Sequence, residues 1–430
     1  MIVALIPNKY QFEYKYVLRT LFNDFFANIN LIFEQTNDID LRLIIGDRIV
    51  LIPNQFFKLF EPGNYLSAPF PCPKNPKITL YGNEKPPMFN EKGELVVFQD
   101  IIANIFFCLT RWEELFDKDL DRHGRFKAKN SVLFKQGILD IPIVNIWIAN
   151  FRKTLVNFFH IPEKELRLVE PETYVTHDID DLQKFNTWKK AIISSRNQLL
   201  RRASLGGIIE APLLKLLSDI NYVYDPYNTF DYLMDVSETF GQQSRFYFMA
   251  EGADAFFDKR YTVNDKRLSK IVEGILKRGH IVGFHASYSS HENFKQLKKE
   301  KELLENSLKV RIEEGRQHYL RFSIKTTPDY LDAVGIKYDS SLGYAENLGF
   351  RCGTSNQYRM FSLTNRRELT IKQRPLMIMD GTLFDYLGLN YQQALQNAKR
   401  IKGGAILWHN SYRLTHQAYP NLLKVFLENN

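Results

Sequence analysis

The sequence predicts an α/β protein in two parts. Residues 1–165 read as a smaller α/β domain, and residues 166–430 as a larger one on a parallel sheet, open or closed into a barrel. Three observations support this. The chain has 430 residues, more than one ordinary domain holds. In the second part short apolar runs alternate repeatedly with helical patterns. Between the parts, the stretch from Pro162 to Pro171 interrupts both patterns.

The first part opens on the apolar run Ile2 to Ile6. No basic stretch precedes it and no small-residue cleavage site follows, so it reads as a strand rather than a signal peptide. Tyr10 to Ala27 has helical spacing. Leu41–Ile45 and Arg48–Ile52 read as a hairpin around Gly46-Asp47. Pro- and Asn-rich loops run from Glu61 to Asn90. Asp100 then opens a strongly apolar helix, Ile101 to Leu115, that must be buried. Asp121-Arg122-His123-Gly124-Arg125 is a polar loop, either reaching a site or closing on its own hydrogen bonds. Pro142 suits the first turn of a helix from Ile143 to Phe159. No catalytic constellation gathers in this part.

Strand-like segments of the second part are Tyr174–Thr176, Arg245–Met249, Ile281–His285, His318–Phe322, Ile336–Tyr338, Leu376–Met379 and Ala405–Trp408. Helical spacing is clearest over Glu292 to Leu308 and Tyr391 to Arg400. In such sheets the carboxyl ends of the strands form the functional face, and polar residues stand at several of these ends.

Composition narrows the function classes. The net charge is +8, from 57 basic and 49 acidic residues. With acids this abundant and no recognition motif, nucleic acid is not an expected partner. Much of the local excess lies in residues 184–202, where Lys184, Lys189, Lys190, Arg196, Arg201 and Arg202 alternate with Trp188, Ile192, Ile193, Leu199 and Leu200. That segment reads either as a basic amphipathic helix on an anionic membrane surface or as a solvated helix packed by its apolar stripe. No run reaches the ~18 apolar residues of a transmembrane span. Cys72, Cys108 and Cys352 are odd in number and lack metal or redox spacing, so a reducing, cytoplasmic setting is expected, with contact at the inner membrane face as the alternative.

The chemistry is concentrated at strand ends. Thr176-His177-Asp178-Ile179-Asp180-Asp181 follows an apolar run. In extended chain Thr176, Asp178 and Asp180 share one face, with His177, Ile179 and Asp181 on the other. Two adjacent carboxylates repel unless a cation or proton neutralises them. They read as a metal ligand with a spare base beside it, or as the cap of a following helix. Four later ends add His285, Arg316 with His318, Asp380, and His409. Imidazole with carboxylate suits zinc or a similar divalent ion.

In this order the motifs resemble the polysaccharide deacetylase family, the metal-dependent carbohydrate de-N-acetylases and esterases, across roughly residues 172–412. Thr176 to Asp180 resembles its first motif, Tyr338-Asp339-Ser340-Ser341 the segment after its Arg motif, and Leu407-Trp408-His409 its last. The Pro7-Asn8-Lys9-Tyr10 start looks like the extra N-terminal domain of a bacterial subgroup. The resemblance implies a distorted (β/α) barrel, here of about seven strands, and removal of an N-acetyl or O-acetyl group from a carbohydrate, here a surface-polysaccharide precursor. It implies Asp178 as base, Asp180 and His285 as metal ligands, Arg316 orienting the base, and His409 as the acid tuned by Asp380.

Two departures stand out. The family pairs histidines four apart, but after His285 the next is His291, six on, which a helix turns away by about 600°. And His318 stands where the Arg motif usually has proline. An extended segment puts Arg316 and His318 on one face, so His318 is the expected third ligand, with His291 the alternative; otherwise His291 is a surface residue at a helix start. His177 and His280 are expected to be structural. Two other functions remain open: a glycosyltransferase holding a metal and nucleotide diphosphate through Asp178-Ile179-Asp180, and a catalytically silent glycan-binding scaffold.

Overall fold

The structure, a computed structural model, describes residues 1–26, 29–59, 79–200, 205–252, 254, 256–258, 261–411 and 420–428. Cys72, Arg201, Arg202 and Ala27 lie outside them, as does most of the loop region from Glu61 to Asn90. The chain divides into two compact units, Met1–Glu172 with Leu320–Met377, and Thr173–Tyr319 with Ile378–Asn430.

The first unit carries strands β1 (Ile2–Pro7), β2 (Leu31–Thr36), β3 (Leu41–Ile45), β4 (Arg48–Ile52), β5 (Met88–Phe89) and β6 (Leu95–Val96), in the order β2-β1-β3-β4-β6-β5. β1 runs parallel to β2 and antiparallel to β3. The β3–β4 hairpin turns at Gly46, whose φ of +64° a side chain would resist. All ten residues of the helix Ile101–Thr110 are buried, and Asp100 caps it by accepting from the Ala103 amide at 3.0 Å. The expected helix to Leu115 stops early. Arg111 turns left-handed (φ 54°), and Trp112–Leu115 continue as a 3₁₀ turn. That break brings the buried Arg111 against Glu113 and Glu114, and Arg351 onto Glu114 at 2.6 Å, so no charge there is buried alone. The loop at Asp121 closes locally: its carboxylate accepts from the His123 and Arg125 amides.

Among the described residues, nine strands follow residue 172: β7 (Thr173–Ile179), β8 (Ser244–Phe248), β9 (Ile281–Ala286), β10 (Glu314–Gln317), β11 (Tyr338–Asp339), β12 (Tyr358–Ser362), β13 (Arg367–Gln373), β14 (Leu376–Met379) and β15 (Gly404–Leu407). This corrects the expected seven. β11, β12 and β13 fall in the first unit, and the unit boundary crosses β14. Among the described residues the hydrogen-bonded order has two ends and does not return on itself, so the sheet is mixed α/β but not a closed ring.

In the second unit the order is β10-β9-β8-β7-β15-β14. β7, β8, β9, β10 and β15 are mutually parallel. All five residues of β8 are buried, as befits a strand covered on both faces. The helix Lys266–Lys277 buries Leu268, Val272 and Ile275 at i, i+4 and i+7, each worth roughly 1.5–3 kcal/mol. Asp265 caps its start through the Arg267 amide. Because five strands point the same way, their carboxyl ends share one end of the unit, and that positions the site.

One strand was misplaced in the sequence reading. The expected strand His318–Phe322 lies earlier, at Glu314–Gln317, and the chain turns sharply at Tyr319 (φ 59°, ψ 15°). Gly315 allows this strand to approach β9, since a Cβ there would stand 2.6 Å from the Phe284 carbonyl oxygen.

Candidate functional site

Each sequence-predicted site residue sits at a carboxyl end within the second unit. Asp178 is the penultimate residue of β7 and Asp180 one residue beyond the strand. His285 is near the end of β9. Arg316 is in β10 and His318 one past it. Asp380 follows β14 directly, and His409 stands two past β15.

Asp180, His285 and His318 each offer a ligand atom, and these atoms lie within 4.8 Å of one another; no other such group of three occurs among the described residues. His285 Nε2 is 3.4 Å and His318 Nε2 3.5 Å from Asp180 Oδ1. His291 is not in the group. It lies in the 3₁₀ turn Ser290–Glu292 with its Nε2 3.7 Å from Glu292, and it is buried rather than on the surface.

The far side of each imidazole is committed. His285 Nδ1 lies 3.0 Å from the Arg316 carbonyl oxygen, which can only accept, so Nδ1 donates. His318 Nδ1 donates to Asp258 Oδ1 at 3.2 Å. In the neutral rings both Nε2 atoms therefore present lone pairs toward a carboxylate oxygen. Three electron-pair donors converge with no hydrogen among them, an arrangement that a cation or a proton must relieve. Asp180 Oδ1 is a buried atom with no well-formed hydrogen bond. The donor set, two imidazoles and one carboxylate, fits a divalent ion of the zinc type.

Asp178 stands beside this group. Its Oδ1 accepts from Arg316 Nη1 at 2.8 Å, and its Oδ2 is 3.7 Å from His285 Nε2. Arg316 is fully buried. It also donates to Thr176 Oγ1 at 2.8 Å and lies over the Tyr247 ring. Tyr247 takes that position because residue 283 is glycine: a Cβ there would come within 2.3 Å of the ring. Thr176 is fixed in turn by donating to the Ile406 carbonyl at 2.6 Å.

His409 also faces the group. Its Nδ1 donates to Asp380 Oδ1 at 2.7 Å, its amide to Asp380 Oδ2 at 2.6 Å, and its Nε2 is 3.9 Å from Asp180 Oδ2.

Charges follow from these contacts. Burial pushes the Asp178 carboxyl up, but Arg316, His285 and His409 outweigh it and hold the group below the ordinary carboxylate range. Burial also acts on Asp180, where the three histidines hold the carboxyl well below that range. For His409, burial favours the neutral ring, yet Asp380, Asp180 and Asp178 push it up to about 10. Burial dominates at His318 and keeps it below the usual histidine value. His285 is raised: Asp178 and Asp180 overcome its burial. The negative field that raises the His285 pKa is the field that would draw in a cation.

Asp258 escaped the sequence reading. Besides His318 it accepts from the Tyr288 and Asp254 amides, at 2.9 and 3.2 Å. No spacing flags it; the one local signal is Gly252, where a Cβ would sit 2.1 Å from the Asp258 Cβ. His177 and His280 lie in the core. His177 Nδ1 donates to the Trp408 carbonyl at 2.7 Å, and burial pushes its ring down to about 4. His280 Nδ1 accepts from the Ser244 amide.

Residues 2–160 match the model of a family of unknown function, DUF7033. No curated protein matches the chain. Solved structures similar to it include a provisionally assigned polysaccharide deacetylase from Mycobacterium smegmatis (16% identity, 60% of this chain and 82% of that one, TM-score 0.37). A family 4 carbohydrate esterase from Streptomyces lividans in complex with acetate is 8% identical over 60% of this chain and 88% of its own, at TM-score 0.29. The polysaccharide deacetylase Bc1974 from Bacillus cereus is 14% identical over the same shares, at TM-score 0.27. At such identities and TM-scores these likenesses leave the function to the site geometry.

Proposed function

We propose that the second unit is a metal-dependent hydrolase that removes acetyl groups, N-linked or O-linked, from a carbohydrate. The observation that carries this is the convergence of Asp180 Oδ1 with two imidazole Nε2 atoms whose Nδ1 hydrogens are already committed, with an ionised spare carboxylate, Asp178, alongside. When bound, a divalent ion there, zinc by its donor set, polarises an acyl carbonyl, acidifies water and offsets the developing oxyanion charge.

The remaining work falls to the chain's own groups. Asp178, oriented by Arg316, accepts the proton of the attacking water. His409, charged across neutral pH, donates a proton to the departing amine or alkoxide. Asp380 holds the Nδ1 side of that ring so that Nε2 faces the reacting atoms. A base and a separate acid beside one centre suit acyl hydrolysis, in which the nucleophile loses a proton and the leaving group gains one. A nucleotide-diphosphate transferase would need Asp178 and Asp180 on one cation. Asp178 is instead neutralised by Arg316, and the three histidines would be idle. The substrate we favour is a surface-polysaccharide precursor.

Acetate release from N-acetylglucosamine oligomers and acetylated xylan tests the reading. Chelator should abolish release and zinc restore it. Asp178→Asn should cost at least roughly 100-fold in turnover with metal content unchanged. His318→Ala should lose the metal, whereas His291→Ala should keep it. A wild-type chain that holds stoichiometric metal yet releases no acetate from either substrate overturns the proposal.

A further inference from the structure

Directly after the Asp178–Asp181 strand end, the second unit sends out two consecutive helices, Trp188–Leu200 and Leu205–Ile220. They pack on each other through a seam of Phe185, Ala191, Ala211 and Leu214. The feet are tied at the site end of the sheet. Tyr222 Oη donates to the Leu182 carbonyl at 2.7 Å, the Lys184 amide to Asp225 at 3.1 Å, and Asn410, next to His409, to the Asp181 and Tyr227 carbonyls.

The outer faces are apolar and uncovered among the described residues. On the first helix Trp188, Ile192 (61% exposed) and Leu199 are spaced i, i+4, i+11, within about 40° of one line. On the second, Ile209 (66%), Leu213, Leu216 and Ile220 (70%) repeat i, i+4, i+7, i+11. Lone exposed apolar residues need no explanation, but two aligned stripes do. Lys189, Lys190 and Arg196 stand exposed beside the first stripe, and residues 184–200 contain no acid. The second stripe is flanked by Glu210 and by Asp219, the latter paired with Lys215.

We propose that this helical hairpin docks the protein on the surface of an anionic lipid bilayer. The helices have 13 and 16 residues, too short to span, and no helix among the described residues is long and apolar enough to cross a membrane. They lie in the interface instead, with the apolar stripes among the acyl chains and the cations at the headgroups. A second copy of the chain is the less suited occupant, since each carries a net charge of +8 and would present the same cations. Because the hairpin's feet sit beside the site end of the sheet, docking brings the strand ends near the lipid surface. The inference does not rest on the proposed reaction.

Flotation of the full chain with phosphatidylglycerol–phosphatidylcholine vesicles, against pure phosphatidylcholine, reads it directly. Wild type should float with the anionic vesicles, and less so in high salt. The combined Ile192→Ser, Ile209→Ser and Leu213→Ser variant should float at least roughly tenfold less. Lys189→Ser with Lys190→Ser should lose roughly fivefold per cation removed. Unaltered circular dichroism and thermal unfolding in both variants confirm intact folds, and the Lys pair, being fully surface-borne, keeps the test sound if the triple variant fails to fold. Wild type that does not float, or variants that float equally, overturns the proposal. So does a wild-type dimer in light scattering that the triple variant turns monomeric, which would assign the stripes to a second copy.

Discussion

Replacing Asp258 by asparagine separates a metal site from a mere cluster of charges. The Asp258 side chain is fully buried and accepts three N–H groups, from His318 Nδ1 at 3.2 Å and from the Tyr288 and Asp254 amides at 2.9 and 3.2 Å. Burial works against its charge, but these donors, His318 first, hold it below the ordinary carboxylate range. The asparagine keeps the shape and one accepting oxygen. It loses the charge that orients His318 and makes Nε2 a better electron-pair donor. Partners of this kind are worth about 10–100-fold in metal affinity, or about 1.4–2.7 kcal/mol. An amide facing the Asp254 N–H costs stability as well, about 1–3 kcal/mol, so binding is compared at a temperature where both proteins are folded by circular dichroism. Zinc titrated against a chromophoric chelator should show a dissociation constant raised 10–100-fold with one site per chain retained. The His318→Ala chain, missing a ligand outright, should bind more weakly still. If Asp258→Asn binds zinc as tightly as wild type, the imidazole of His318 is not held for a metal, and the ligand set fails.

Two further outcomes follow from the buried titrations. His409 is pushed up to about 10 in the folded chain, against an ordinary value near 6.5. The stability it contributes is therefore complete below pH ~6.5 and lost as pH rises through about 10. Asp380→Asn should lower this pKa, and in the zinc-loaded protein the alkaline limb of acetate release should move down by roughly 1–3 pH units; an unmoved limb means that Asp380 does not tune the acid. Glu300 acts in the same direction at lower pH. Burial pushes it up to about 7, although the Ser287 amide and Gln296 both donate to it. Between pH ~4.5 and ~7 the unfolded chain releases a proton that the folded chain keeps, so stability falls across that window by up to about 3 kcal/mol. In urea unfolding, Glu300→Gln should narrow the difference in stability between pH 5 and pH 8; an unchanged difference would show that Glu300 does not carry it.

How much of this was legible depended on what kind of constraint each residue obeys. The gathering of Asp178, Asp180, His285, His318 and His409 at strand ends was readable because the proposed chemistry restricts residue type: few side chains other than Asp and His could supply ligands and proton carriers, and strand ends bring such residues together. The strand bearing Arg316 was placed too late because three of its four residues, Glu314, Arg316 and Gln317, are polar in type although all four are buried. Their burial is tolerated through partners distant in sequence, such as Asp178 for Arg316, 138 residues away, and no local pattern encodes that. Asp258 was missed for the same reason, since its contacts with Tyr288 and His318 lie 30 and 60 residues away. The break at Arg111 was hidden because an apolar helix pattern ran through it, and a buried arginine with two glutamates could outweigh helix propensity only once the fold supplied Arg351 as well. The helix Leu205–Ile220 illustrates the converse. Its apolar spacing reads as ordinary core, and only the structure leaves Ile209, Leu213 and Ile220 uncovered. Periodicity reports that a face is apolar; what that face meets is decided by everything packed around it, which is why the hairpin's partner has to be sought by experiment on the folded chain.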